Sequence, residues 1–160
     1  MIELKSEEEI ERMRRPSRIV GEILVRLSEM VTPGVTTADL NDEAERMIEE
    51  RGCRSAFKNY QVGDAVFPAV LCTSVNDEVV HGVPSDKRVL KEGDIVNIDV
   101  TPLLDGWHGD TSRMFFAGEP SIKARRLVDV TYECLMLGIE AAGRPGARLG
   151  DIGAAIEAHA

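Results

Sequence analysis

Apolar residues recur at helical spacing through Ile10, Met13, Ile19, Ile23, Leu24 and Leu27, and this pattern predicts a helix that runs to about Met30. Ser6 followed by Glu9 supplies a capping box at its start, and Thr32-Pro33-Gly34 closes it. Pro16 falls inside the pattern. A proline has no backbone N–H and crowds the preceding turn, so the helix is expected to kink or split there. Thr36 or Thr37 can cap a second helix whose Leu40, Ala44, Met47 and Ile48 share one face, with Gly52 as a left-handed terminator.

Beyond Gly52 the period shortens. A strand is predicted over 66–75, with Pro68 near its start, followed by a turn at Asn76-Asp77 and another at Lys91 to Asp94. Two strand-like runs, 95–104 and 107–116, flank Asp105-Gly106, a strong two-residue hairpin signal. A long helix follows over 121–142, ended by Gly143-Arg144-Pro145-Gly146, and a further helix opens at Leu149. Helices flanking a mainly antiparallel sheet make an α+β fold, and with no repeat or linker, residues 1–160 read as one domain.

Composition narrows the function. The chain has 160 residues, 43% of them hydrophobic, enough for a core, and its net charge of −9 argues against DNA and anionic membrane surfaces as partners. Cys53, Cys72 and Cys134 form an odd set without a CxxC pair, as a reducing compartment permits. The charged N-terminal segment lacks the apolar run of a secretory signal, and no stretch reaches the roughly 20 apolar residues of a spanning helix. These observations predict a cytoplasmic protein.

The hairpin brings two carboxylates into play. With a two-residue turn at Asp105-Gly106, Leu104 faces Trp107, Thr101 faces Asp110 and Asp99 faces Ser112, so Asp99 and Asp110 are diagonal neighbours on one sheet face. Diagonal residues lie about 7–8 Å apart, close enough for both side chains to reach a pair of ions about 3.5–4 Å apart. A three-residue loop would place them on opposite faces. Oxygen donors of this kind suit Mg, Ca or Mn and, with imidazole added, Fe, Co or Zn. The competing reading is a pair of solvated hairpin charges that discourage edge-to-edge association. The nearly continuous apolar run Ile95-Val96-Asn97-Ile98-Asp99-Val100 weighs against it, because a buried aspartate needs a counter-charge.

His81, between Val80 and Gly82, can meet a substrate or serve as a hydrogen-bonded structural residue; His108 carries the same two readings. The sequence contains no HExxH, GxSxG, phosphate loop or dinucleotide fingerprint. A triad of Ser74, His81 and Asp99 can be written down, but sequence order gives it no geometry.

Three ordered segments carry a family resemblance: Cys72-Thr73-Ser74-Val75-Asn76-Asp77-Glu78-Val79-Val80-His81-Gly82-Val83-Pro84, then Gly93 to Thr101, then Asp105-Gly106-Trp107-His108-Gly109-Asp110-Thr111-Ser112. Together they closely resemble type I methionine aminopeptidases. The resemblance implies the pita-bread (creatinase-like) fold, with this chain supplying the first pseudo-symmetric half and the start of the second. It implies that Asp99 and Asp110 are metal ligands, that His81 contacts substrate as the catalytic histidine, and that Tyr60, Phe67 and Cys72 line a pocket for a methionine side chain. Thr101 is implied as support for the metal site. The cofactor would be two divalent ions (Co, Fe, Mn, Zn or Ni), and the reaction removal of an N-terminal methionine from a peptide or nascent protein. Ribosome association and a monomeric state are compatible with the resemblance.

The chain departs from the family at Pro16-Ser17, where Ala-Gly is common, and at 61–66, which is longer than usual and puts the role of Tyr60 in question. The family's remaining ligands, a histidine and two glutamates, fall beyond residue 160. The chain is therefore expected to be an incomplete catalytic domain, inactive alone, with an apolar face exposed where the other half belongs. The alternatives are a non-catalytic module on the same fold and a related metallo-dipeptidase, whose relatives usually carry an extra preceding domain.

Overall fold

The computed structural model describes residues 4–160, apart from the side chain of Val62. They form two compact units, one ending at Glu119 and the other spanning Pro120–Ala160.

The first unit opens with α1 (Glu7–Ser28). Its capping box is present: Ser6 N–H donates to Glu9 Oε2 at 2.7 Å, and Glu9 N–H to Ser6 Oγ at 3.3 Å. Val20, Ile23, Leu24 and Leu27 are buried, whereas Ile10 and Met13, nearer the helix start, are exposed. Pro16 does not split the helix. It is itself buried, and its turn is supported by packing against the hairpin at Gly109 and by Ser17 Oγ, which donates to the Met13 carbonyl at 2.8 Å. Helix α2 (Thr37–Glu50) is capped by Thr36 with a reciprocal bond to Asp39, and Gly52 at φ +67° continues the chain in the left-handed conformation expected past a helix end.

The strands are β1 (Arg54–Ser55), β2 (Gln61–Val62), β3 (Ala65–Val66), β4 (Leu71–Val75), β5 (Asp94–Val100), β6 (Pro102–Leu104), β7 (Trp107–His108) and β8 (Thr111–Ala117). Among the described residues all pairings are antiparallel and make three small sheets, β1-β6-β7, β2-β3 and β4-β5-β8, in place of one larger sheet. The strand expected over 66–75 is divided. Pro68 has no ladder donor to give, and Val70 N–H goes to Asn41 Oδ1 of α2 at 2.9 Å, so pairing resumes only at Leu71. Val66 instead closes a small hairpin with Gln61 around Gly63.

The long hairpin is as its turn predicts. Asp105 (φ +51°) and Gly106 (φ +84°) both lie in the left-handed region, the type I′ condition, and Leu104 pairs with Trp107. Each arm crosses from one sheet to another, at Thr101 on the first and Gly109-Asp110 on the second, and the register is the same on both sides. One face of β4-β5-β8, with Leu71, Val75, Val96, Ile98 and Val100, packs with Val20, Ile23 and Leu27 of α1 and Leu40, Ala44 and Ile48 of α2. Each such burial stabilises the fold by about 1.5–3 kcal/mol before entropy is counted.

In the second unit α3 (Ile122–Ala142), N-capped by Ser121, packs with α4 (Leu149–His159). The close approach is at Gly138, against Ile152 and Ile156. Leu127, Tyr132, Leu135 and Ile139 of α3 are exposed, and α4 buries none of its residues.

Candidate metal centre

The face of β4-β5-β8 opposite the core carries the polar residues. Cys72 pairs with Asp99 across β4 and β5, and Asp99 with Ser112 across β5 and β8; Ser74 and Asn97 lie on the same face one step along. Thr101 and Asp110 fall opposite each other between the two ladders. The bond from Gly109 N–H to the Pro102 carbonyl, 3.0 Å, continues the register through that gap. Asp99 and Asp110 are thus the diagonal pair the two-residue turn requires.

Asp99 is half-buried, and its Oδ1 is buried without a hydrogen-bond partner among the described residues. Burial raises its carboxyl above the usual carboxylate range, the negative charge of Asp110 adds to the rise, and His81 opposes it. Cys72, beside it across the ladder, is buried and has its thiol pushed up to about 11 by burial and then by the Asp99 charge, so it stays a neutral, apolar-lining thiol at neutral pH. Thr101 is buried, and its Oγ1 also lacks a partner among the described residues.

Asp110 is exposed and its position is set from below. A Cβ on the preceding Gly109 would lie 2.4 Å from the Pro16 carbonyl carbon and 2.6 Å from Ser17 N, so only glycine lets the hairpin rest on α1 here. The departure at Pro16-Ser17 therefore falls at the contact that seats Asp110. Sequence reasoning had no signal for this role of Gly109, which depends on a residue 93 positions away.

His81 is exposed, with φ +60°, on the loop after β4. Tyr60 and Phe67 form a separate local cluster: Phe67 N–H donates to the Tyr60 carbonyl at 2.8 Å, and the Phe67 ring meets Phe57 edge-on at 6.2 Å. Phe67 is half-buried and Tyr60 exposed. The structure thus brings Cys72, Asp99 and Asp110 to one sheet face, with His81 on the loop after β4, while Tyr60 and Phe67 are joined to each other and to Asn59 and Phe57 in the turn before β4.

An acidic diagonal pair with an unpartnered, buried oxygen fits a hard or borderline divalent cation as part of a ligand set. Two carboxylates are what the described residues offer; no three His, Cys, Asp or Glu side chains among them are grouped to hold an ion.

Residues 11–160 match the model of metallopeptidase family M24. The chain belongs to that family. Among M24 relatives, the methionine aminopeptidase A of Synechocystis sp. is 52% identical over 159 residues, covering 99% of this chain and 61% of that protein. The crystal structure of the methionine aminopeptidase of Rickettsia prowazekii superimposes with a TM-score of 0.92 at 46% identity, covering 99% of this chain and 62% of that one. The prolidase of Pyrococcus furiosus, at 22% identity and a TM-score of 0.81, shares the fold. The architecture is therefore part of the pita-bread fold. The chain spans about three fifths of the length of these methionine aminopeptidases.

Proposed function

We propose that this M24 chain contributes the first half of a methionine aminopeptidase active site, in which Asp99 and Asp110 hold divalent metal. The observation that carries the reading is the buried, unpartnered Asp99 Oδ1 beside the Asp110 charge in a fixed hairpin register. Bound divalent ions, two in number and of the Co, Fe, Mn, Zn or Ni type, would supply Lewis acidity toward the first peptide bond of a substrate.

The chain's own residues bind and orient. Asp99 is a ligand on a rigid central strand, while Asp110 is exposed beside it and can reach a shared ion. His81, at the site's margin, offers an imidazole to the substrate backbone. Cys72, kept neutral, gives a soft wall suited to an unbranched methionine side chain. Phe67 and Tyr60 would extend that wall. The substrate class is a peptide or nascent protein beginning with methionine. No described helix is long and apolar enough to cross a membrane; a cytoplasmic enzyme acting on chains as they leave the ribosome fits the reading.

Metal binding by the 160-residue chain tests this directly. Titration with Mn²⁺, followed by the loss of the free-ion electron paramagnetic resonance signal, is expected to show weak, chelator-reversible binding. Asp99→Asn should weaken it at least about tenfold, the scale of losing a ligand or its support. No binding at millimolar Mn²⁺, or equal binding by Asp99→Asn, would overturn the assignment. Turnover of a Met-Ala-Ser peptide should be negligible, because two carboxylates hold catalytic metal weakly.

A further inference from the structure

The loop that carries His81 is fastened at both ends and bare in the middle. At its start Asn76, itself left-handed at φ +57°, donates through Nδ2 to Asp94 Oδ1 at 2.8 Å and accepts from Ile95 N–H at 3.1 Å. The Glu78 carboxylate accepts from Val75 N–H at 2.9 Å. At its end Gly82 is buried against the outer edge of β4: its carbonyl accepts from Thr73 N–H at 2.8 Å, and its own N–H donates to Ser74 Oγ at 3.1 Å. A Cβ on Gly82 would lie 2.1 Å from the Thr73 carbonyl oxygen. Between these anchors Val79 is 87% exposed, and Val80 and His81 are exposed too.

His81 also has φ +60°, a left-handed conformation uncommon among side-chain-bearing residues. The exposed valines before it pack against little. The residue after it is held in three ways, by a donor, an acceptor and a steric fit that admits glycine alone. Ser74, 3% exposed on the Asp99 face of β4, supplies the one side-chain partner in that hold.

We propose that Ser74 and Gly82 are positioning residues that fix His81 in its left-handed conformation beside the carboxylate pair. The inference rests on the reading of His81 as the substrate-contacting histidine, and it adds the residues that set that histidine's direction.

The test uses Ser74→Ala, Ser74→Thr and His81→Ala. Gly82→Ala is a harsher variant that risks misfolding. In isotope-labelled full chain, Ser74→Ala should speed Gly82 amide exchange about fivefold or more, the size of one lost hydrogen bond, and leave the β5–β8 amides unchanged. The His81 backbone coupling constant and imidazole cross-peak should move toward those of a flexible loop, and Ser74→Thr should restore both. Unchanged His81 signals in Ser74→Ala would overturn the proposal, as would a uniform change across all amides, which marks general loosening. A metal-loaded protein containing this chain and the remaining ligands separates the two readings. There Ser74→Ala should lower kcat/KM in the same direction as His81→Ala but less. If His81→Ala left peptide turnover intact while Ser74→Ala still released the His81 signals, the role given to His81 would fall and the clamp would stand.

Discussion

Helices α2 and α3 obey the same local rules and end in opposite circumstances. Both are opened by a hydroxyl residue, Thr36 and Ser121, and both carry apolar residues at helical spacing. In α2 those residues, Leu40, Ala44, Met47 and Ile48, are buried within the first unit. In α3 the buried positions are Cys134, Gly138 and Ala141, while Leu127, Tyr132, Leu135 and Ile139 remain exposed. Caps and spacing thus specify that a helix forms, but only a packed layer converts its apolar face into stability. Soluble monomers rarely leave contiguous apolar surface bare, so the second unit is where the chain should be least stable and most prone to associate.

The largest effect expected from this contrast is in the core. Ile98→Ala, at a fully buried position on β5, should lower the first unit's stability by about 2–5 kcal/mol, the range for losing a large aliphatic side chain in a packed core. Ile139→Ala, at a residue 56% exposed, should change stability by about 0.5 kcal/mol or less. Urea unfolding followed by the single tryptophan, Trp107, reports the first unit, and helical ellipticity reports both. A loss at Ile139 as large as at Ile98 would show that the α3 face is covered in solution and would remove the difference between the units.

A second contrast uses two glycines. Gly109→Ala forces a methyl group into the backbone of α1 at Pro16 and should cost about 1–3 kcal/mol, as overpacking does. It should also weaken Mn²⁺ binding, since Asp110 moves with the hairpin. At Gly138 an added Cβ would meet side-chain atoms and no backbone, Ile156 Cδ1 at 3.3 Å and Ile152 Cγ2 at 3.4 Å, and a mid-helix glycine replaced by alanine gains up to about 1 kcal/mol of helix propensity. Gly138→Ala should therefore be neutral or stabilising by thermal melt. A heavy penalty there would mean that α3 and α4 are fitted as tightly as α1 and the hairpin.

These contacts also mark where the sequence stops being informative. The capping boxes at Ser6 and Thr36, the stop at Gly52 and the type I′ turn at Asp105-Gly106 are local, so residue type and spacing predict them, and the turn alone determines that Asp99 faces Ser112. The division of the 66–75 run was not predicted, because Val70 bonds to Asn41 of α2, a partner 29 residues away. The seat of Asp110 on Pro16 and the Ser74–Gly82 clamp are likewise meetings of separate segments. Motif resemblance names Asp99, Asp110 and His81 as candidates; Ser74, Gly82 and Gly109 stand in the same motif segments, but the resemblance assigns them no role.

The smallest effect concerns charge. Glu43 of α2 accepts from Arg46 of its own helix and from Arg26 of α1, and its side chain is only 14% exposed. The two guanidinium groups, Arg46 foremost, lower its carboxyl from 4.5 to about 2. A depressed folded-state value means that the pair's stabilisation is present above pH 4.5 and lost as the pH falls toward 2. Glu43→Gln should therefore cost up to about 1 kcal/mol at pH 7, where Arg26 and Arg46 lose the carboxylate they share and keep only Glu29 and Glu50, and almost nothing at pH 2. In the second unit Glu140 of α3 pairs with Arg144 just past the helix end, with both side chains well exposed. Glu140→Gln should cost no more than about 0.5 kcal/mol at any pH, because a solvated pair between neighbouring turns of the chain is largely offset by water. Adding 1 M salt should shrink the Glu140 effect toward zero and leave part of the Glu43 effect, since partly buried charges are screened less. If both effects vanished together, the arginines around Glu43 would be as loosely held as Arg144, and the first unit's electrostatics would be no better organised than the second's.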